Sequence, residues 1–300
     1  MILGVVVMLG LAVDMIAHRG EHGRGRGKAA CWSLAWIALA LAFGGWVALT
    51  FGSDAGQDFV TAYLLEKSLS IDNLFIFLVV FSRLKIPENE QHRVLHWGIL
   101  GALVTRGVFI AGGATLLDAW HGVVYVLGAF LAYTGVKTLR SSGGGTEGKI
   151  MAFVRRQLPI TSTRRGHHFF AVENGRHMVT PLFLALIVVE ITDVVFAVDS
   201  IPAVFAVSRD PFIVYSSNVF AVLGLRALYL VVASLLKTLR YLHYGLGAIL
   251  ILAGAKMLTS GIVEIPHYVS LVAVLCILIA TVLPSFIHRR AARSDAPSTS

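Results

Sequence analysis

Residues 190–200 read EITDVVFAVDS and place three carboxylates, Glu190, Asp193 and Asp199, within one short segment. This segment lies in the middle of residues 181–207, which otherwise have the apolar composition of a membrane-spanning helix. A single acid at the centre of such a helix costs about 2.5–3.5 kcal/mol on insertion scales. The rest of the chain must therefore compensate for these acids, and the form of that compensation bears on both fold and function.

The composition of the whole chain is typical of a polytopic helical membrane protein. Its 300 residues are 56% hydrophobic and only 14% charged, with a mean hydropathy of +0.77, whereas soluble domains are about a quarter charged. The net charge of +8 is best explained by membrane orientation rather than by nucleic-acid binding. The two cysteines, Cys31 and Cys276, lie in apolar runs, which argues against a disulfide framework or a thiolate metal site.

The apolar runs predict an all-α bundle with about nine membrane spans, since each crossing needs about 20 apolar residues. The spans are residues 1–17, 31–51, 57–81, 95–117, 122–139, 181–207, 211–235, 241–258 and 266–287. With the N-terminus outside, most Lys and Arg residues fall in the cytoplasmic loops and the C-terminal tail. We therefore predict a multi-pass protein of the inner (plasma) membrane, with its N-terminus outside and its C-terminus in the cytoplasm.

The loops and spans divide the chain into five predicted parts. Two N-terminal spans occupy residues 1–56, and three-helix units occupy 57–140 and 181–260, with a cytoplasmic loop at 141–180 and a last span with its tail at 261–300. Within the loop, the Gly-rich residues 143–149 are interpreted as a flexible linker. Apolar-rich runs on either side of Asn174 and Gly175 predict a β-hairpin.

The two three-helix units are copies of one another. YVLGAFLAYTGVKTL begins at Tyr125 and YGLGAILILAGAKML begins at Tyr244, 119 residues later, and Gly128, Gly135, Gly247 and Gly254 are interpreted as close-packing positions between helices. Arg106 recurs as Arg226, and Glu66 with Asp72-Asn73 recurs as Asp193 with Asp199-Ser200. A repeat of three spans is inserted with opposite topology in its two copies, as in many secondary transporters, whose substrate site lies where the copies meet.

Antiparallel crossing of the third and sixth spans predicts which acids meet. If the midpoints of the two spans coincide, Glu66 lies level with Asp199 and Asp72 lies level with Asp193. Glu66 and Asn73 stand about 10 Å apart along one regular helix, so ligands to one ion must come from both spans or from broken helices. Pro202 predicts such a break beside Asp199, because it leaves the carbonyl of Val198 without its helical partner.

Charge counting at the centres of the predicted spans leaves a deficit of two positive charges. Five acids (Glu66, Asp72, Glu190, Asp193 and Asp199) face three bases (Lys67, Arg106 and Arg226), which gives −5 + 3 = −2 when all are ionised. One divalent cation or two protons would close this gap. The alternative is a purely structural set of ion pairs, in which Arg106 and Arg226 neutralise Asp72 and Asp199 and no ion moves.

The available ligand atoms in the two acidic spans are all oxygens. Neither span contains His, Cys or Met, and an oxygen site suits magnesium, calcium or manganese(II) better than zinc or copper. The predicted metal ligands are Glu66, Asp72, Asn73, Glu190, Asp193, Asp199 and Ser200. Lys67, Arg106 and Arg226 are predicted to form structural ion pairs with the acids, as the intramembrane bases.

The motifs EKSLSIDNLFIF from Glu66, FFAVENGRHMVTPLF from Phe169 and EITDVVFAVDSIPAVFAV from Glu190 resemble the TerC family of integral membrane proteins, named for tellurium resistance. The resemblance implies a role in metal homeostasis and ion transport, with manganese export as the best-supported activity and a distant kinship to LysE-type exporters. It also implies that Glu66, Asp72, Asn73, Asp193 and Asp199 occupy the acidic motif positions of the family.

These observations predict a secondary transporter that exports a divalent cation, with manganese(II) as the favoured ion, and not an enzyme. No nucleotide site or resident cofactor is expected, so proton exchange or the membrane potential would drive transport. The expected partners are the metal ion and the lipid bilayer, together with soluble tellurium-resistance proteins if the cytoplasmic loop docks them, and no nucleic acid. The alternative function is a membrane scaffold for tellurium-resistance or membrane-assembly partners that uses residues 141–180. An intramembrane hydrolase would need a nucleophile or a His-rich site, which the sequence does not offer.

Overall fold

The computed structural model describes residues 26–120, 122–140, 146–157, 168–173, 176–235, 242–262 and 266–294. The helices are α1 (Arg26–Phe51), α2 (Ser53–Arg83), α3 (Glu88–Ala119), α4 (Val123–Arg140), α5 (Thr146–Gln157), α6 (Pro181–Phe205), α7 (Pro211–Leu223), α8 (Leu225–Leu235), α9 (Leu242–Thr259) and α10 (His267–Ser294). The strands are β1 (Phe170–Glu173) and β2 (Arg176–Val179). Helices thus dominate, as the predicted fold class requires.

Eight of the nine predicted spans coincide with helices in the described part of the chain, and the first, residues 1–17, lies outside it. By length and apolar composition alone, three described helices qualify as membrane spans. The number rises to four when α7 and α8, bent by 44° at their junction, are counted as one span. Helix α2 has 31 residues, but its own charged side chains lower its apolar character.

Equivalent helices of the two repeat copies make equivalent contacts with the other copy. Helix α2 of the first copy packs against α7 of the second, and α6 of the second copy packs in the same way against α3 of the first. Helices α2 and α6 also contact each other, and α4 packs along α9. This reciprocity is what a two-fold relation between copies of opposite topology produces. Helices α1 and α10 lie outside the repeat and both pack on α2.

The α4–α9 contact is close enough that glycine is required. A Cβ on Gly128 would lie 3.0 Å from the Gly254 carbonyl oxygen, and a Cβ on Gly135 would lie 2.7 Å from the Gly247 carbonyl oxygen. Gly128 and Gly247 are equivalent in the repeat, 119 residues apart, and so are Gly135 and Gly254. The two contacts are therefore equivalent to each other under the repeat. The interpretation of these glycines as close-packing positions is confirmed.

The predicted hairpin is present. Strands β1 and β2 pair in antiparallel register, with Phe170 opposite Val179 and Glu173 opposite Arg176. Thr180 then joins the hairpin to α6, because its hydroxyl donates to the His168 carbonyl oxygen at 2.8 Å and accepts from the Phe183 amide at 3.4 Å. This capping arrangement anchors the start of α6.

The interpretation of residues 143–149 as a flexible linker is wrong from Thr146 onwards. Helix α5 begins at Thr146 and packs on α6. Its side chains Met151 and Val154 are buried in the same apolar cluster as Leu182 of α6. The physical reason is amphipathicity: the apolar side chains that follow the glycines need a partner surface, and the start of α6 provides one.

The predicted helix break at Pro202 is also absent. Helix α6 runs without interruption from Pro181 to Phe205, and the Pro202 carbonyl oxygen accepts the amide of Ala206. Because Pro202 lies in the last turn, its missing N–H removes a single helical hydrogen bond near the end of the helix, where the cost is low. The second copy is broken elsewhere, at Gly224 between α7 and α8.

Candidate ion-binding site

Arg106 on α3 lies at the centre of a buried polar cluster. Its Nη1 donates to the carboxylate of Glu66 on α2 and, at 2.6 Å, to the amide oxygen Oδ1 of Asn218 on α7. Its Nη2 lies 3.4 Å from Oδ1 of Asp193 on α6. Glu66 is fully buried, and Arg106, Asn218 and Asp193 are each at most 5% exposed. One guanidinium therefore joins two carboxylates and an amide from three other helices.

Glu66 and Asp193 are counterparts in the repeat, 127 residues apart. Where two antiparallel helices cross near a two-fold axis, a residue meets its own counterpart, and this happens at Arg106. The predicted level pairing of Glu66 with Asp199 is therefore wrong. The crossing point is set by packing and by the shared base, and not by the midpoints of the apolar runs.

Each of the two central carboxylates keeps one oxygen without a hydrogen bond. Oε1 of Glu66 and Oδ2 of Asp193 are buried and have no partner within the described part of the chain. The buried hydroxyls of Ser68, Ser70 and Ser200, on the same two helices, are also without partners there. A buried acceptor with no donor is costly, so these oxygens are available to a cation, a proton or water.

Glu190 lies one turn before Asp193 on α6 and faces α3. A Cβ on Gly101 would come within 2.1 Å of Oε1 of Glu190, so the glycine provides the space that this carboxylate occupies. Glu190 is half-buried, and the charge of Asp193 acts on it. It therefore extends the carboxylate cluster towards the end of the bundle at which α6 begins.

Asp199 belongs to a different environment. Its carboxylate accepts a hydrogen bond from Thr134 and interacts with Lys137, both on α4. Ser200 and Asn73 are buried, and the side chain of Asp72 lies outside the described set. The structure thus brings Glu66, Asp193 and Glu190 of the predicted ligands together, and it places Asp199 apart from them.

Lys67 contacts backbone rather than a carboxylate in the described part of the chain. Its Nζ donates to the carbonyl oxygen of Ala221 at 3.2 Å, in the last turn of α7, where helical carbonyls lack partners and carry partial negative charge. A Cβ on Gly224 would lie 2.5 Å from Nζ, so the glycine at the helix break makes room for the ammonium. Ion pairing of Arg226, which is buried just after the break, stays a prediction.

The cluster around Arg106 has a net negative charge but no preformed set of metal ligands among the described residues. No group of three or more His, Cys, Asp or Glu side chains that could hold a metal ion occurs among the residues that the structure describes. The contacts link Glu66, Asp193 and Arg106, and Glu190 lies beside them. Fully ionised, these four groups sum to −3 + 1 = −2, which equals the charge that one divalent cation or two protons would neutralise.

The sequence patterns did not indicate Asn218, Thr134 or Lys137 as members of the site. The signal was available, because Asn218 is the one amide in the apolar segment PFIVYSSNVFAVL of α7. Polar side chains within a span are expensive and are commonly functional. The repeat gives no signal at this position, because the counterpart of Asn218 in the first copy is Gly98, which has no polar side chain.

A cavity of about 420 Å³ opens at the other end of the bundle from Glu190. It lies among the ends of α6 and α9 and the starts of α2 and α10, and its charged lining is Asp58, Arg209, Lys256 and His267. Asp58 is buried and pairs with Nδ1 of His267. Asp58 precedes Glu66 by eight residues, or about 12 Å along α2.

Comparison with known proteins gives a consistent result. The family model described as "Integral membrane protein TerC family" matches residues 51–294. "Uncharacterized membrane protein STKORF319" of Myxococcus xanthus is 46% identical over 97% of this chain and 92% of its own. "Putative membrane-bound redox modulator Alx" of Escherichia coli K12 is 43% identical over 92% of this chain and 90% of its own. An "Uncharacterized membrane protein" of Rickettsia bellii is 35% identical over 93% and 94%. No solved structure matches the chain.

Proposed function

Because this chain belongs to the TerC family of integral membrane proteins, we propose that it is a secondary transporter that exports a divalent cation, with manganese(II) as the favoured substrate. The observation that carries the proposal is the meeting of Glu66 and Asp193 at Arg106. These are equivalent acids from two copies of an inverted repeat, and such a crossing is where secondary transporters bind their substrates. Manganese follows from the oxygen ligands and from the resemblance described above.

The cluster can exchange one kind of positive charge for another. With Glu66, Asp193 and Glu190 ionised, Arg106 leaves a charge of −2, which one divalent cation neutralises. Two protons neutralise the same charge, so the same carboxylates can bring protons in when they have released the metal. Glu190 is the entry ligand in this scheme, because it lies between the cluster and the end of the bundle where α6 begins. We assign that end to the cytoplasm from the distribution of basic residues.

The proposal is tested by removing one central carboxylate. In Asp193→Asn, Arg106 keeps Glu66 and Asn218 as partners, so we expect the protein to fold and to insert. We expect manganese flux into proteoliposomes to fall at least tenfold, roughly the lower limit for losing even an outer-shell partner of a metal site. Glu66→Gln is expected to act in the same way.

Asp54→Asn is the matched control, because Asp54 is an exposed acid at the start of α2, the helix that carries Glu66, and undergoes the same chemical change as Asp193. Its flux should equal that of the wild type. Wild-type flux in the Asp193→Asn protein, at equal protein per vesicle, would contradict the proposal. Competition with calcium and magnesium in the same vesicles ranks the three cations.

A membrane scaffold is the second candidate function, and one observation favours it. Phe153 on α5 and Phe170 on β1 are more than 60% exposed, and both belong to the segment between the two repeat copies. Exposed aromatic side chains are common at protein-binding surfaces. In the scaffold, this face would bind soluble tellurium-resistance or membrane-assembly proteins. The redox role named for the Escherichia coli relative has less support here, because both cysteines are free and exposed and lie on different helices, α1 and α10.

A further inference from the structure

We infer that Arg106 is a tethered cation that occupies the carboxylate pair while the metal is absent, and that Asn218 is the neutral acceptor that holds the guanidinium while the metal is bound. This inference rests on the proposed function and assigns Asn218 to the site. Arginine is suited to such a role because it keeps its charge at every accessible pH. It can therefore be moved from one acceptor to another but not neutralised.

The contacts of Arg106 already show both acceptors in use. Nη1 is shared between the Glu66 carboxylate and Oδ1 of Asn218, while Nη2 lies at the longer distance of 3.4 Å from Asp193. The carboxylates can therefore separate from the guanidinium while its contact with the amide persists. Oε1 of Glu66 and Oδ2 of Asp193 have no partner within the described residues, so these are the oxygens that an arriving cation would contact first.

Asn218 is held in the orientation that this role needs. Its Nδ2 donates to the Val214 carbonyl oxygen one turn earlier in α7, at 3.2 Å. That bond directs Oδ1, the acceptor atom, towards Arg106. In the first copy the equivalent position is Gly98, so the acceptor exists once and the arrangement is asymmetric about the pseudo-two-fold axis.

Electrostatics explains why the acceptor should be an amide. A divalent cation takes over the two central carboxylates, so the guanidinium loses their hydrogen bonds while the charge of Glu190 still balances its own. A buried guanidinium without hydrogen-bond partners in a low-dielectric environment is costly. A neutral amide oxygen satisfies the guanidinium but binds it less strongly than a carboxylate does. Arg106 therefore returns to Glu66 and Asp193 when the metal leaves, and its return disfavours rebinding of the metal.

The test is a pair of substitutions with opposite expected effects on the apparent KM for manganese in proteoliposomes. Asn218→Leu removes the acceptor, so Arg106 stays on the carboxylates and KM should rise roughly tenfold, the effect that one hydrogen bond to a charged group supports. Asn218→Asp provides a stronger acceptor, so KM should fall, with slower turnover. Ser216→Ala is the control, because among the described residues that buried hydroxyl bonds only to Ile213 of its own helix, and KM should not change.

Binding of Mn²⁺ to the detergent-solubilised full-length protein, followed by electron paramagnetic resonance, gives a second measurement that needs no turnover. Its Kd should shift in the same two directions. If Asn218 only packs, both variants lose folded protein and rate while KM and Kd stay constant, and the inference is overturned while the transporter stands. If the wild type neither binds nor transports Mn²⁺, the proposed function fails and the inference fails with it.

Discussion

At the scale of single residues, space matters as much as charge in this site. Glu190 can point at α3 only because Gly101 has no side chain, and Lys67 reaches the Ala221 carbonyl only because Gly224 has none. In both cases a glycine, on α3 or at the break between α7 and α8, makes room for a charged group from another helix. The sequence of a span therefore shows that burying its charged residue is costly. It does not show which residue elsewhere in the chain provides the space for that charge.

Gly101→Ala tests the space around Glu190. The added Cβ would lie 2.1 Å from the carboxylate oxygen, so Glu190 must rotate away from α3 and from the neighbourhood of Asp193. We expect manganese flux to fall several-fold with little loss of protein from the membrane. Gly112→Ala on the same helix is the matched control, since nothing lies within 4 Å of its Cβ position. Equal flux in the two variants would argue against Glu190 as an entry ligand.

At the scale of elements, helix positions were predictable and helix contacts were not. Apolar runs and basic loops located eight spans that coincide with described helices, since both signals are local properties of the sequence. The break in the second copy was assigned to Pro202 but occurs at Gly224. A proline in a last turn is tolerated, whereas the bend at Gly224 coincides with a lysine from α2 that contacts a carbonyl of the last turn of α7.

The α4–α9 packing leads to a stability prediction. In Gly254→Ala the new Cβ would lie 2.6 Å from the Gly128 carbonyl oxygen and 2.7 Å from the Ala132 amide nitrogen. Backbone atoms cannot rotate away, so the helices must separate, and we expect a loss of about 1–3 kcal/mol in the free energy of unfolding. Denaturant unfolding in detergent measures it.

Gly45→Ala is the control for that measurement, because the free energy of unfolding should change in the opposite direction. Gly45 lies in helix α1 with nothing within 4 Å of its Cβ position. Gly45→Ala should therefore stabilise the protein by about 0.5–1 kcal/mol through helix propensity alone. If both substitutions stabilise the protein, α4 and α9 do not pack as closely as described.

At the scale of the whole molecule, the two ends of the bundle differ. One end has the cavity with the Asp58–His267 pair. The other has α5 and the hairpin packed against α6, with Met151 and Val154 inside the core. Deleting the segment between the repeat copies would therefore disturb the core as well as any docking surface, so single surface substitutions are the better test of the scaffold.

Phe153→Ser provides that test, because Phe153 is 62% exposed and its neighbours on α5 hold the helix in place. A carrier should keep its manganese flux, and a scaffold should lose its partner while its fold is unchanged. Flux in proteoliposomes and metal tolerance of cells are the two measurements. Normal flux with lost tolerance would favour the scaffold, and normal values of both would favour the carrier.

Sequence alone specified the helical membrane architecture, the hairpin, the three-helix repeat and the acids of interest, because periodicity, composition and repeated spacing are local properties of the sequence. The tertiary structure decided which of these acids meet. Glu66 joins Asp193 rather than Asp199, and Asn218 completes the cluster, because the crossing of α2 and α6 depends on how side chains from four helices fill one space around Arg106. That arrangement is a property of packing among distant residues, for which a single apolar run carries no signal.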